Sequence, residues 1–361
     1  MINVTKTYLP DREKYKGYID RIFDSGWLTN NGQLARELEK RLSEYIQVEN
    51  IMLVANGTIA LQIAYKALGI KGDAITTPFS FVATASSLAW EGIDPVFCDI
   101  DRETLNIAPG SISEKITSRT RAIIPVHVFG NSCAVEDIDE IARRNGLKVV
   151  YDAAHAFSIK YKGNSILNYG DASVLSFHST KIFHTIEGGA IVFRKREDLE
   201  KARLMINFGI AGYDIVTELG INGKMNEFQA AMGLCILDDI SEILERRKTV
   251  YLRYTDAFSS VRSISLQKHN PDADQNWAYF PVIFNSGKTR ESVRDRLLEN
   301  GIFARRYFSP SLETLPYLKE REKMPVSDMV SDAILCLPMY EDLSLKDQDK
   351  VIDIVLSAVN H

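Results

Sequence analysis

The sequence predicts an α/β fold: a mixed, mostly parallel seven-stranded sheet with one antiparallel strand, followed by a smaller C-terminal α+β domain. Three observations predict it. Seven short apolar runs follow one another after residue 50 without in–out alternation. Helical patterns fill several of the gaps between them. One gap is too short for a helix.

The apolar runs are 51–54, 74–77, 96–100, 122–128, 148–151, 174–177 and 190–193. Strands that read apolar throughout are covered on both faces, as in parallel sheets. Helical spacing spans 58–68, 83–90 and 135–145. The link from Phe177 to Ala190 carries no such spacing. A parallel crossover needs about a dozen residues or more, usually with a helix. The last strand is therefore expected to run antiparallel to its neighbours, with Lys181 in the reversing loop.

Beyond Gly223 the pattern changes. Residues 226 to about 258 read as one long helix, with Phe228, Met232, Ile236, Ile240, Ile243 and Leu244 near one face. A short strand at 279–284, helices at 290–300 and 345–359, and a polar loop at 271–275 follow. The expected organisation is a large domain at 1–225 with an N-terminal arm over about 1–20, a connecting helix at 226–258 and a small domain at 259–361. A chain of 361 residues has room for this.

The composition, 45% hydrophobic and 25% charged, is that of an ordinary globular protein. A net charge of -5 argues against a nucleic-acid partner. Cys98, Cys133, Cys235 and Cys336 lie far apart, so neither a disulfide framework nor a thiolate metal site is expected, and a cytoplasmic location is. The N-terminus shows no signal-peptide pattern, and no run approaches the ~20 apolar residues of a membrane span.

The chemistry concentrates at strand ends, where open α/β sheets gather ligands. Asp152 ends one strand and Lys181 follows another. A buried carboxylate needs a cationic partner, and a pyridinium N–H is one. Lys181 stands among Phe177, Ile182, Phe183 and the Glu187-Gly188-Gly189 turn. That apolar setting favours the free amine, which forms a Schiff base with an aldehyde. Together the two residues point to pyridoxal 5'-phosphate (PLP). Asn56-Gly57-Thr58, between a strand and a helix, forms a helix start suited to a phosphate, with Asn56 or Thr58 as the cap. Ser176 can donate to the same phosphate. An aromatic from Phe79-Ser80-Phe81 can stack on a ring, although Phe79 fits the core equally well. His127, His155, His178 and His184 show no HxH or HExxH spacing, so no metal site is expected.

These stretches, with Gly26-Trp-Leu-Thr, Pro95-Val-Phe-Cys-Asp, Pro125-Val-His-Val-Phe-Gly, Gly220-Ile-Asn-Gly-Lys-Met-Asn-Glu and Leu337-Pro-Met-Tyr, run in one order over nearly the whole chain. In that order the sequence resembles the DegT/DnrJ/EryC1/StrS family of PLP-dependent nucleotide-sugar aminotransferases, which have PLP fold type I. The resemblance implies that Lys181 carries the Schiff base and moves the proton, Asp152 pairs with the ring nitrogen, and His155 sits beside the ring hydroxyl. Phe81 would stack on the ring, and Gly57, Thr58 and Ser176 would hold the phosphate. Asn222 would reach the phosphate of the partner subunit's cofactor, making the protein a homodimer with shared active sites. Gly223-Lys224 departs from the family's usual Tyr-Arg pair and leaves Lys224 without a role.

The resemblance also implies L-glutamate as amino donor and a nucleotide-linked keto-sugar as acceptor. The cues Val4-Thr-Lys-Thr-Tyr-Leu-Pro, Lys181-Ile-Phe-His-Thr-Ile-Glu and Lys224-Met-Asn-Glu-Phe-Gln are similar to members acting on dTDP-linked 4-keto-6-deoxyhexoses. The expected product is dTDP-4-amino-4,6-dideoxy-D-glucose, for O-antigen or another surface polysaccharide. Amination at C3 of a 3-keto sugar is the alternative. A sugar dehydratase of the same family would have histidine in place of Lys181, and a regulatory protein would not need the acid–lysine pair. Arg305 and Arg306 are candidates for the diphosphate, with solvated arginines the other reading. His184 is expected to face the sugar.

Overall fold

The computed structural model describes residues 1–318 and 322–359. Residues 319–321 and the last two of the expected 259–361 segment lie outside the described part. All seven runs are strands: β1 (Ile51–Val54), β2 (Asp73–Thr76), β3 (Asp94–Phe97), β4 (Thr120–Ile124), β5 (Lys148–Asp152), β6 (Ala172–Ser176) and β7 (Gly189–Phe193). They form one sheet in the order β1-β7-β6-β5-β4-β2-β3. Every pairing is parallel except those of β7, which runs antiparallel to β1 and β6. The short 177–189 connection has this consequence, since it leaves no room for a crossover.

Several strand ends differ from the apolar runs. β3 and β4 start and stop earlier than 96–100 and 122–128, because ladder pairing with β2 decides the ends. Helices α1 (Arg12–Ser25) and α2 (Gln33–Ile46) precede β1 and were not part of the sequence reading. α2 buries Leu34, Leu38, Leu42 and Ile46 at a spacing of four. α3 (Gly57–Ala67), α4 (Val82–Trp90), α5 (Val135–Asn145) and α6 (Arg196–Met205) cover the sheet.

α7 (Glu227–Phe258) begins with a capping box between Asn226 and Gln229. Its first half packs in the core shared with the large sheet, and Val250, Tyr254 and Phe258 pack in the C-terminal core. That second core surrounds an antiparallel sheet of β8 (Ile264–Leu266), β9 (Phe280–Phe284) and β10 (Ile334–Leu337), in that order. Two of its strands were not expected, being three or four residues long. The N-terminus joins this half: the Ile2 amide donates to the Gly301 carbonyl at 2.9 Å, and the Phe303 amide donates to the Ile2 carbonyl at 2.8 Å. The two halves share a boundary at the carboxyl edge of the large sheet, where Tyr279 and Phe308 belong to the main core cluster.

Candidate active site

The neighbouring strands β5 and β6 end in Asp152 and Ser176 at the carboxyl edge of the sheet. The loop leaving β6 carries Lys181, whose amide donates to the His178 carbonyl at 2.8 Å and closes a tight turn. A cavity of about 290 Å³ opens between these residues and the start of α3. Asn56, Gly57, Thr58, Phe81, Asp152, His155, Ser176 and Lys181 all line it.

Asp152 is buried, with 6% of its surface exposed. Thr84 Oγ1 donates to its Oδ2 at 2.7 Å and the Ala154 amide to its Oδ1 at 3.2 Å. Ser80 Oγ lies 2.8 Å from Thr84 Oγ1, and donates to it because Thr84's proton points at the carboxylate. Burial raises the Asp152 pKa, against the pull of these bonds and of Lys181. Desolvation lowers Lys181 to about 8, and the Asp152 charge only partly opposes it. The two groups thus feel each other's charge across one cavity, and the amine is free at a pH where a surface lysine is almost wholly protonated.

His155 is buried, and Nδ1 accepts the Phe129 amide at 3.3 Å. Its proton therefore sits on Nε2, and burial keeps the ring neutral by holding its pKa well below the ordinary value. Phe129 takes φ +57°, which costs about 1–2 kcal/mol for a residue with a side chain. Its ring lies parallel to that of His155, with centroids 6.2 Å apart.

At α3, Asn56 Oδ1 accepts the Ile59 amide at 2.9 Å, so Asn56 is the cap. The amides of Gly57 and Thr58 are left free for an anion. A Cβ on Gly57 would stand 3.0 Å from Ser176 Cβ, tighter than side chains usually pack, so glycine eases the close approach of this backbone to the serine. Phe79 is core, fully buried, whereas Phe81 is 52% exposed and lines the cavity.

The far half of the chain forms the other wall. Tyr279, Arg305, Tyr307 and Phe308 line the cavity. The Arg305 guanidinium sits 4.5 Å from the centre of the Tyr307 ring.

Two expected substrate contacts are corrected. Arg306 turns away: Nη2 donates to the Ser331 carbonyl at 2.9 Å and lies 3.8 Å from Asp332 Oδ1. Neighbouring residues on an extended segment face opposite sides, so only one of the pair faces the cavity. His184 is 1% exposed. Its Nε2 bonds the Tyr8 carbonyl at 2.8 Å and its Nδ1 accepts the Ile186 amide at 3.3 Å. Both ring nitrogens are used, Nε2 in fastening the N-terminal segment and Nδ1 within its own loop, and His184 lies outside the cavity lining.

Asn222 is exposed on its own chain and bridges to Asn207 through the backbone. Lys224 Nζ donates to Asn207 Oδ1 at 2.9 Å and lies 5.1 Å from the Phe208 ring centre. Thr84 and Tyr279 went unrecognised in the sequence. Thr84 follows Ser80 at helical spacing, a signal lost among ordinary polar residues, and nothing local marks Tyr279.

A buried acid facing a desolvated amine, beside an anion cradle, fits PLP, with Asp152 able to take the ring nitrogen, Lys181 the aldehyde, and Gly57, Thr58 and Ser176 the phosphate. The class is that of PLP-dependent aminotransferases of fold type I. Residues 10–356 match the model of the DegT/DnrJ/EryC1/StrS aminotransferase family. A dTDP-4-amino-4,6-dideoxy-D-glucose transaminase of Shigella dysenteriae is 42% identical over 348 residues, covering 95% of each chain. The Escherichia coli protein of that description is 38% identical over 363 residues, covering 98% of each. The crystal structure of DesI with its TDP-sugar product superposes with a TM-score of 0.94 at 32% identity, covering 99% of this chain and 93% of that one. The chain belongs to the DegT/DnrJ/EryC1/StrS aminotransferase family.

Among the described residues no helix is long and apolar enough to cross a membrane. The four cysteines are buried and unpaired.

Proposed function

We propose that this enzyme transfers the amino group of L-glutamate to C4 of dTDP-4-keto-6-deoxy-D-glucose, giving dTDP-4-amino-4,6-dideoxy-D-glucose. The observation that carries the chemistry is the desolvated Lys181 facing the buried Asp152 across one cavity. The likeness to the two dTDP-sugar transaminases supports the substrate.

PLP supplies a cationic ring that draws electrons from the carbon bearing the amine. The protein's residues do the rest. Asp152 would hold the proton on the ring nitrogen, and burial of its carboxylate would strengthen that pairing. His155 would donate its Nε2 proton to the ring hydroxyl oxygen. Phe81 would face the ring, and Gly57, Thr58 and Ser176 would hold the phosphate. Lys181 Nζ would hold the cofactor aldehyde and, as a free amine, would take up and return the proton. It does so in both half-reactions, first for glutamate and then for the sugar. Arg305 meets the sugar's diphosphate, and the cation–π contact with Tyr307 sets its direction.

In this reading the enzyme is a homodimer, and Asn222 reaches the phosphate in the partner subunit's site. Its exposed position supports that role. The segments 1–225, 226–258 and 259–361 serve as large domain, connecting helix and small domain. The reaction takes place in the cytoplasm, which the unpaired cysteines suit, and supplies a surface polysaccharide such as an O-antigen.

The test is incubation with L-glutamate and dTDP-, UDP- and GDP-linked keto-sugars, with NMR of the products. A 4-amino dTDP-sugar and one 2-oxoglutarate per turnover are expected. A 3-amino product, or preference for another nucleotide, overturns the substrate assignment. Absence of 2-oxoglutarate overturns the donor.

A further inference from the structure

Lys181 has a direct side-chain partner that its own motif does not supply. Its Nζ lies 3.3 Å from the hydroxyl of Tyr279, 98 positions further on. Tyr279 immediately precedes β9 in the C-terminal half and is 8% exposed. Its ring is wedged 4.6 Å from His155, 5.4 Å from Phe129 and 5.5 Å from Tyr307, centre to centre. A ring held on three sides cannot swing its hydroxyl aside.

The chemistry of that hydroxyl is specific. Burial pushes the Tyr279 phenol above its ordinary pKa, so it stays neutral. A neutral hydroxyl both accepts and donates. It accepts from Lys181 as an ammonium and donates to the lone pair of Lys181 as a free amine. A carboxylate at this position would favour the ammonium alone, and a guanidinium could only donate. Around the pair, Asp152 and His155 face Lys181, while Arg247 from α7, Arg305 and Cys336 from β10 surround Tyr279. Asp152 favours the ammonium, and burial opposes it.

We propose that Tyr279 is a positioning residue that docks the Lys181 amine whenever it is not bonded to the cofactor, holding it in both protonation states. This inference rests on the role given to Lys181 above. It assigns the C-terminal half a part in the proton transfer, through an atom outside the acid–lysine motif.

The test uses apo-protein and PLP mixed across a pH series, with the rise of the visible band as readout. Tyr279→Phe keeps the ring and its neighbours and removes only the hydroxyl. The plateau rate of capture is expected to fall by about 10-fold, a usual cost of losing orientation. Its pH midpoint moves lower, since the charged amine loses more than the neutral one. The single-turnover reaction with glutamate slows similarly, with half-saturation by glutamate held within about two-fold. Tyr279→His, whose neutral imidazole also accepts and donates, recovers most of the rate. Capture by Tyr279→Phe at the unaltered rate and midpoint overturns the proposal, as does equal slowing in the Phe and His variants. If Tyr279→Phe does not fold, Tyr279→His against Tyr279→Leu makes the same comparison. Lys181→Ala separates the two readings. A visible band surviving there removes the role of Lys181 itself, whereas a silent Lys181→Ala beside an unaffected Tyr279→Phe removes only this inference.

Discussion

The two walls of the cavity are built differently. The floor, from β5, β6 and the start of α3, is made of residues placed by strand ends and tight turns. Lys181 follows Ser176 by five positions, and Asn56 caps the helix that Gly57 begins. The opposite wall, from Tyr279 to Phe308, comes from a separate three-stranded sheet and meets the floor only through packing. In the proposed reading, the floor carries the charge chemistry and the wall the orientation and substrate contact. The wall can therefore vary with the acceptor while the floor stays tied to one cofactor.

Four outcomes would break or sharpen this division. Lys181→Ala strikes the floor hardest: purified protein should lose its yellow colour, and turnover should drop by at least about 10⁴-fold. Asp152→Asn should keep the cofactor and slow both half-reactions about 100-fold or more, because the ring nitrogen loses its counter-charge. Rates near the original in stopped-flow traces would remove Asp152 from the mechanism. Third is the pH dependence. A lysine with pKa lowered to about 8 is ammonium below that value and amine above it. Capture of PLP by apo-protein should thus rise about 10-fold per unit up to pH 8 and level off there. A rise continuing toward pH 10 would mean a solvated lysine. The smallest effect belongs to the wall. Arg305→Ala should raise KM for the sugar nucleotide about 10-fold, one lost charge-assisted contact. Arg306→Ala should leave KM within about two-fold and lower the melting temperature instead. Equal KM effects from both arginines would reverse the assignment of sides.

The sequence reading went further on the floor than on the wall. Asp152 and Lys181 follow short apolar runs and Ser176 lies in one, and the short link after Phe177 already pointed to the reversal of β7. α2, with its spacing of four, was as legible as α3 but lay ahead of the first strand. His184 and Arg306 misled because each stands within three positions of a residue that lines the cavity. A histidine three positions from Lys181 and an arginine beside Arg305 look equivalent in a string. In the fold, one fastens the Tyr8 carbonyl and the other turns toward Ser331.

Legible in the chain alone were the seven strands of the large sheet, the reversal, the acid and lysine at strand ends and the capped helix start, because period, loop length and turn chemistry act over a few residues. Only the tertiary structure decided that Thr84 supports Asp152, that Tyr279 meets Lys181 and that Arg305 alone of its pair faces the cavity. Those contacts join residues 68 and 98 positions apart, or depend on which side of an extended segment is buried. Packing between elements far apart in the chain sets them, and no local preference records it.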